Sequence, residues 1–206
     1  MKYRLAITAI LLLISSCLFA QKNAGTFSLG TRNTISMFEE DEATGIGIGG
    51  QFRIQFSNRL NTEWYFDYIT SKTGLTFKND YHIGWSVMLY TRNNHLFDRL
   101  LQPYLIVGHC FDYSKVSEKD NKANSADRLS MATQAGLGTH INITPKLDCS
   151  LSGQYMLHFG KGIETDFHPG HEHVHISRED HSHVDGHLLF SLSFNYKFFK
   201  LWNKYR

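Results

Sequence analysis

Residues 45–57 read GIGIGGQFRIQFS, with Ile46, Ile48, Phe52, Ile54 and Phe56 on one face of an extended chain and Gly47, Gly49, Gln51, Arg53 and Gln55 on the other. Successive side chains of a β-strand point to opposite faces, so this two-residue period predicts a strand with one apolar and one polar surface. The same alternation returns in most later segments. Eight strands are predicted, at 25–36, 45–57, 62–72, 80–92, 102–115, 128–143, 147–159 and 187–199. In the fourth, Tyr81, Ile83, Trp85, Val87 and Leu89 oppose His82, Gly84, Ser86 and Arg92. In the last, Leu188, Phe190, Leu192, Phe194, Tyr196 and Phe198 oppose Ser191, Ser193, Asn195 and Lys197. The fifth is the least regular, because Leu105-Ile106-Val107 is apolar on both faces.

Alternation by itself fits a soluble sandwich or cup as well as a barrel with its apolar face in lipid. Three further features favour the barrel. The polar faces mix Gly and Ser with single charges of both signs, among them Arg53, Glu63, Asp67, Arg92, Asp148 and Lys197. That mixture suits a narrow interior, where small residues make room for long ones and buried charges need partners. A three-residue turn at Asn58-Arg59-Leu60 sets Arg53 diagonal to both Glu63 and Asp67, which predicts an ion-pair cluster inside the lumen. The odd-numbered connections, 37–44, 73–79, 116–127 and 160–186, are longer than 58–61 and 144–146, in keeping with long outer loops and short periplasmic turns. Only 93–101 is long for a periplasmic turn. Finally, Phe56, Trp64, Phe198, Phe199 and Trp202 fall where a periplasmic aromatic rim belongs.

The N-terminus has the parts of an export signal: cationic Lys2 and Arg4, an apolar core over 7–14, and Leu18-Phe19-Ala20 before Gln21. The expected organisation is a signal peptide at 1–20 and one barrel domain at 21–206. A competing reading takes Ile14-Ser15-Ser16-Cys17 as a lipobox, with Cys17 acylated. After cleavage Cys110 and Cys149 remain. The alternation faces them oppositely, Cys149 with Leu147 and Leu151 and Cys110 with Gly108 and Asp112, so two free thiols are expected. The formal net charge of +2, without a basic run carrying interleaved aromatics, gives no case for a nucleic-acid partner.

On the strand at 45–57, the closing LLFSLSFNYKFF and the Leu-Phe-Ala-Gln region, the chain resembles the small eight-stranded outer-membrane barrels of Gram-negative bacteria, the OmpA/OmpX-like proteins, and in particular barrel domains common in Bacteroidetes. The resemblance covers essentially the whole mature chain and implies an all-β, antiparallel up-and-down transmembrane barrel. It further implies a monomer in the outer membrane, with membrane lipid and the barrel assembly machinery as partners. One departure is that Phe199 is followed by seven residues, 200–206, where such barrels end on an aromatic residue.

The densest chemistry is FHPGHEHVHISREDHSHVDGH, over 167–187. Neutral imidazole is the commonest metal ligand, so His171, His173, His175, His181, His183 and His187 form a candidate site for zinc, copper or nickel. A hairpin turning near Arg178-Glu179 would place His173, His175, His181 and His183 on one face. The acidic run Glu39, Glu40, Asp41 and Glu42 would stand beside it once the barrel closes. No cofactor is required for the barrel itself.

An enzymatic reading is also testable in the sequence. Outer-membrane lipid A deacylases, which share the eight-stranded architecture, carry a His-x-Ser pair near the outer end of the penultimate strand. Here that place reads Leu157-His158-Phe159-Gly160, which lacks the nucleophile, and His175-Ile176-Ser177 has the spacing only within the His-rich segment. His158 is expected to bond lumen neighbours such as Gln154, with His82 and His140 in similar lumen roles. The expected protein is therefore non-enzymatic, with a side-chain-filled lumen and a structural or surface-interaction role. Cation capture by the His-rich loop is the alternative, and lipid A hydrolysis a more distant one.

Overall fold

The structure, a computed structural model, describes residues 23–38, 43–92, 99–167 and 174–202. Eight strands form it: β1 (Thr26–Phe38), β2 (Thr44–Gln55), β3 (Leu60–Thr73), β4 (Thr76–Tyr90), β5 (Leu101–Glu118), β6 (Ser125–Asn142), β7 (Leu147–Phe167) and β8 (Val174–Lys200). Each pairs antiparallel with the next, and β8 pairs with β1, so the sheet closes without a free edge. Closure satisfies every strand's backbone groups within the sheet, as hydrocarbon demands.

Polarity is inverted relative to a water-soluble fold. Ile46, Ile48, Ile83, Leu129 and Leu137, all more than 60% exposed, stand on the outer surface, whereas Arg32, Arg53, Asp67, Asp112 and Asp148 are buried within. A belt of this kind costs nothing in hydrocarbon and would be an aggregation site in water. Fused rows of rings run around it. Phe27 stacks on Phe199 at 5.2 Å and Phe52 on Trp64 at 6.0 Å, while Trp64 meets Trp85 at 6.2 Å and Phe56 meets Trp202 at 6.0 Å, all toward the end where β1 begins and β8 finishes. Nearer the other end, Tyr68, Tyr81 and Tyr113 line up across β3, β4 and β5 at 4.9 and 6.0 Å.

The turns at 57–60 and 144–147 are short for a local reason. Ser57 Oγ accepts hydrogen bonds from the amides of Arg59 (3.1 Å) and Leu60 (2.9 Å), and Thr144 Oγ1 accepts the equivalent pair from Lys146 (3.2 Å) and Leu147 (2.9 Å). Both segments thus close through a hydroxyl that takes over two amides the ladder leaves unpaired.

The outer ends are strands where long loops were expected. β3 and β4 meet at a two-residue turn, Gly74-Leu75, with Gly74 at φ +51°, a conformation that favours glycine. The supposed loop at 160–186 is mostly sheet: β7 continues to Phe167 and β8 begins at Val174. A transmembrane strand needs only about 9–11 residues, so the 21 of β7 and 27 of β8 carry a hairpin well past the bilayer. It is braced by its neighbours. Val174 and Ile176 pack on Val116, Asn124 Nδ2 donates to Val174 O at 2.6 Å, and Arg128 pairs with Asp185 at 2.6 Å. Arg92, placed in the lumen by alternation, lies exposed past the end of β4. The acidic run at 39–42 and most of the connection at 93–101 fall outside the described residues, as do the export signal and Cys17. Cys110 and Cys149 are both free and both buried.

Candidate functional site

Everything chemically distinctive faces the lumen, which is arranged in layers. The lowest is built on Arg53, whose Nη2 sits 2.6 and 2.7 Å from the two oxygens of Asp148. Lys197 Nζ reaches the same carboxylate at 3.2 Å, and His140 fills the space between Arg53, Ser150 and the hydroxyl of Tyr90. A second layer is built on Arg32. Its Nη1 lies 2.8 Å from Glu63 and its Nε 2.8 Å from Asp67, and the guanidinium covers the ring of Tyr65 at 4.2 Å. Gln51 joins the layers, accepting from Arg32 at 3.2 Å and donating to Asn195 at 2.7 Å, which in turn donates to Asp148 at 3.3 Å. Tyr65 carries the network across the lumen to Gln134 at 2.7 Å, and Gln134 to Ser86 at 2.7 Å.

This corrects the predicted cluster. Glu63 and Asp67 are indeed lumen ion-pair partners, but of Arg32; Arg53 stands directly opposite Glu63 in the ladder and binds Asp148 from the far side of the barrel. Arg32, Gly49 and Asp67 form one cross-strand row, and Gly49 makes the pairing possible. A Cβ there would collide with Asp67 Oδ1 and the Phe66 carbonyl oxygen.

Above the ion pairs lies an apolar layer, Ile69, Cys110, Ala132, Met156 and Leu189, each fully buried. One inward position further out on four of those strands stand Asp112, Ser130, His158 and His187, with His82 opposite Asp112 on β4. His82, His158 and His187 converge, their ring centroids 4.8–5.9 Å apart. Asp112 serves two of them, with Oδ1 3.2 Å from His82 Nε2 and Oδ2 3.3 Å from His158 Nδ1. Over this group opens a cavity of about 220 Å³, walled by Asp80, Asp112, Glu164, Glu179 and Asp185 and by the cations Lys78 and Arg128.

The candidate metal residues are therefore redistributed. Among the described side chains of the predicted set, only His187 lies in the lumen; His175 and His181 are exposed on the outer stretch of β8, whose sheet pairing leaves no hairpin at Arg178-Glu179. His183 sits opposite Gly160 in the ladder, and His171 and His173 lie outside the described residues. His158 meets Asp112 and Ser130 in place of Gln154. Sequence reasoning missed Arg32, Asp112 and the grouping of His82 with His158 and His187, although all lie on the polar side of the alternation.

A closed eight-stranded barrel with a lipid-compatible exterior and a charged, filled interior has the architecture of the small outer-membrane barrels. Solved structures agree on the fold. Neisserial surface protein A superposes with a TM-score of 0.59 at 14% identity, over 85% of this chain and 98% of that one. A major outer membrane protein from Thermus thermophilus gives 0.56 at 9% identity, over 84% and 99%, and OprG from Pseudomonas aeruginosa 0.52 at 17%, over 86% and 98%. No protein-family model and no curated protein matches the sequence.

Proposed function

We propose that this protein is a non-enzymatic, non-conducting barrel of the outer membrane whose working part is the braced strand structure that it holds outside the bilayer. The observation that carries the reading is the sealed lumen. Two ion-paired layers and an apolar layer leave the wall-to-wall network of Arg32, Gln51 and Arg53 no continuous aqueous path. A catalytic reading finds little support. In the deacylase-like pattern the place of the serine falls on Gly160, which has no side chain, and His175 is exposed on the outer hairpin, away from the lumen chemistry. The β7–β8 hairpin, by contrast, is stiffened by apolar packing and ion pairs, as suits a surface that meets partners.

The test replaces residues 162–181 by a short turn in a strain lacking the protein. Restoration of envelope resistance to detergent by the trimmed barrel assigns a structural role to the barrel alone. Failure to restore it, with the trimmed barrel folded on a heat-modifiability gel, assigns the role to the hairpin. Lipid A of altered mass in the wild-type strain would overturn the non-enzymatic reading.

A second reading, cation capture at the outer end, is favoured by the cavity walls, where five carboxylates face two cations.

A further inference from the structure

We infer that the buried triad His82, His158 and His187 binds one divalent cation of the zinc class, reached from the outer cavity. The site deepens the cation-capture reading and rests on it for access, but its ligands are distinct from the exposed histidines of the outer hairpin.

Each of the three residues offers one ligand atom, and these atoms lie within 4.8 Å of one another. Tetrahedral zinc holds imidazole nitrogens about 3.4 Å apart, a closure within reach of small side-chain rotations. The orientation of the rings is the second observation. Asp112 lies 3.2 Å from His82 Nε2 and 3.3 Å from His158 Nδ1, yet neither ring nitrogen of His82 is hydrogen-bonded, and His158 Nε2 is likewise buried without a hydrogen-bond partner among the described residues. A carboxylate beside one ring nitrogen is placed to orient a histidine whose other nitrogen meets a metal. Buried polar atoms left unmatched cost free energy, and a cation accepting those lone pairs removes the cost. Asp80, two residues outward from His82 and lining the same cavity, likewise has both carboxylate oxygens buried without a hydrogen-bond partner. It or a water completes a fourth position. Delivery follows from the acidic walls above. The apolar layer underneath separates the ion from the Arg32 cluster.

The experiment uses the full barrel folded in detergent micelles, with Zn²⁺ measured by calorimetry and Co²⁺ by its visible spectrum. The expected result is one equivalent per barrel and a tetrahedral cobalt band. Both disappear in His158→Gln and His82→Gln and persist when His171, His173, His175, His181 and His183 are all changed to Asn. Asp112→Asn should weaken binding about 10–100-fold through loss of ring orientation. Folding of each variant is read on a heat-modifiability gel. For the case that a triad variant does not fold, X-ray absorption on the zinc-loaded five-Asn protein reads the ligands directly, and a shell with fewer than two imidazoles overturns the site. Undiminished binding by folded triad variants also overturns it. If the five-Asn protein loses binding while the triad variants keep it, cation capture stands and the triad assignment falls. If the wild type binds no cation, both fall.

Discussion

The side chain with most at stake is Arg32. It is 1% exposed, it is the ion-pair partner of two buried carboxylates, and its removal would leave both without that partner. Breaking a buried ion pair from one side typically costs about 3–5 kcal/mol. Arg32→Met should lower stability by about that much in urea unfolding from micelles. The triple variant Arg32→Met, Glu63→Gln, Asp67→Asn should recover most of the loss, because neutral amides can bond one another. Equal losses in the single and triple variants would show that Arg32 acts by packing over Tyr65 alone. The polar alternation showed that Glu63 and Asp67 face inward. It could not show Arg32 as their partner, because the row from Arg32 through Gly49 to Asp67 depends on the register of both the β1–β2 and the β2–β3 pairings, which no spacing within one strand encodes. The histidines behave alike: seven crowd the stretch 168–187, yet the buried cluster takes one of them and draws the other two from β4 and β7.

At the scale of elements, the two short turns repeat one design, Ser57-Asn-Arg-Leu60 and Thr144-Pro-Lys-Leu147, each with a hydroxyl first and a leucine last. Ser57→Ala and Thr144→Ala should each destabilise by about 1 kcal/mol, the usual worth of such a bond, and a larger drop in refolding yield than in stability would place these turns early in assembly. The central outward position of β6 gives a contrasting test. Leu137, 67% exposed, faces hydrocarbon, so Leu137→Arg should cost about 2–4 kcal/mol in lipid. Strand existence and facing were readable over the membrane span because lipid and lumen impose opposite demands on alternate residues. Past the membrane both faces meet water and the alternation fades. The outer halves of β7 and β8, with Lys161, Glu164, Asp166 and His175, therefore read as loop although they pair residue by residue. The tight turn at Gly74 was hidden for the same reason, its flanks Lys72 and Lys78 being polar on either side.

For the molecule as a whole, the layers predict silence in planar bilayers: the purified wild type should show no discrete conductance steps, and reproducible steps would mean that the ion-paired layers do not close the lumen. Heating before electrophoresis should slow migration of the folded form, as closed barrels require unfolding before they bind detergent fully. The stack of five apolar side chains at Ile69, Cys110, Ala132, Met156 and Leu189 has one more consequence. With the lumen sealed as proposed, it turns the upper chamber into a blind well, open to the surroundings and shut toward the cell. Whatever settles there takes its occupancy from the medium alone, so the chamber can register the composition of the exterior without admitting any of it.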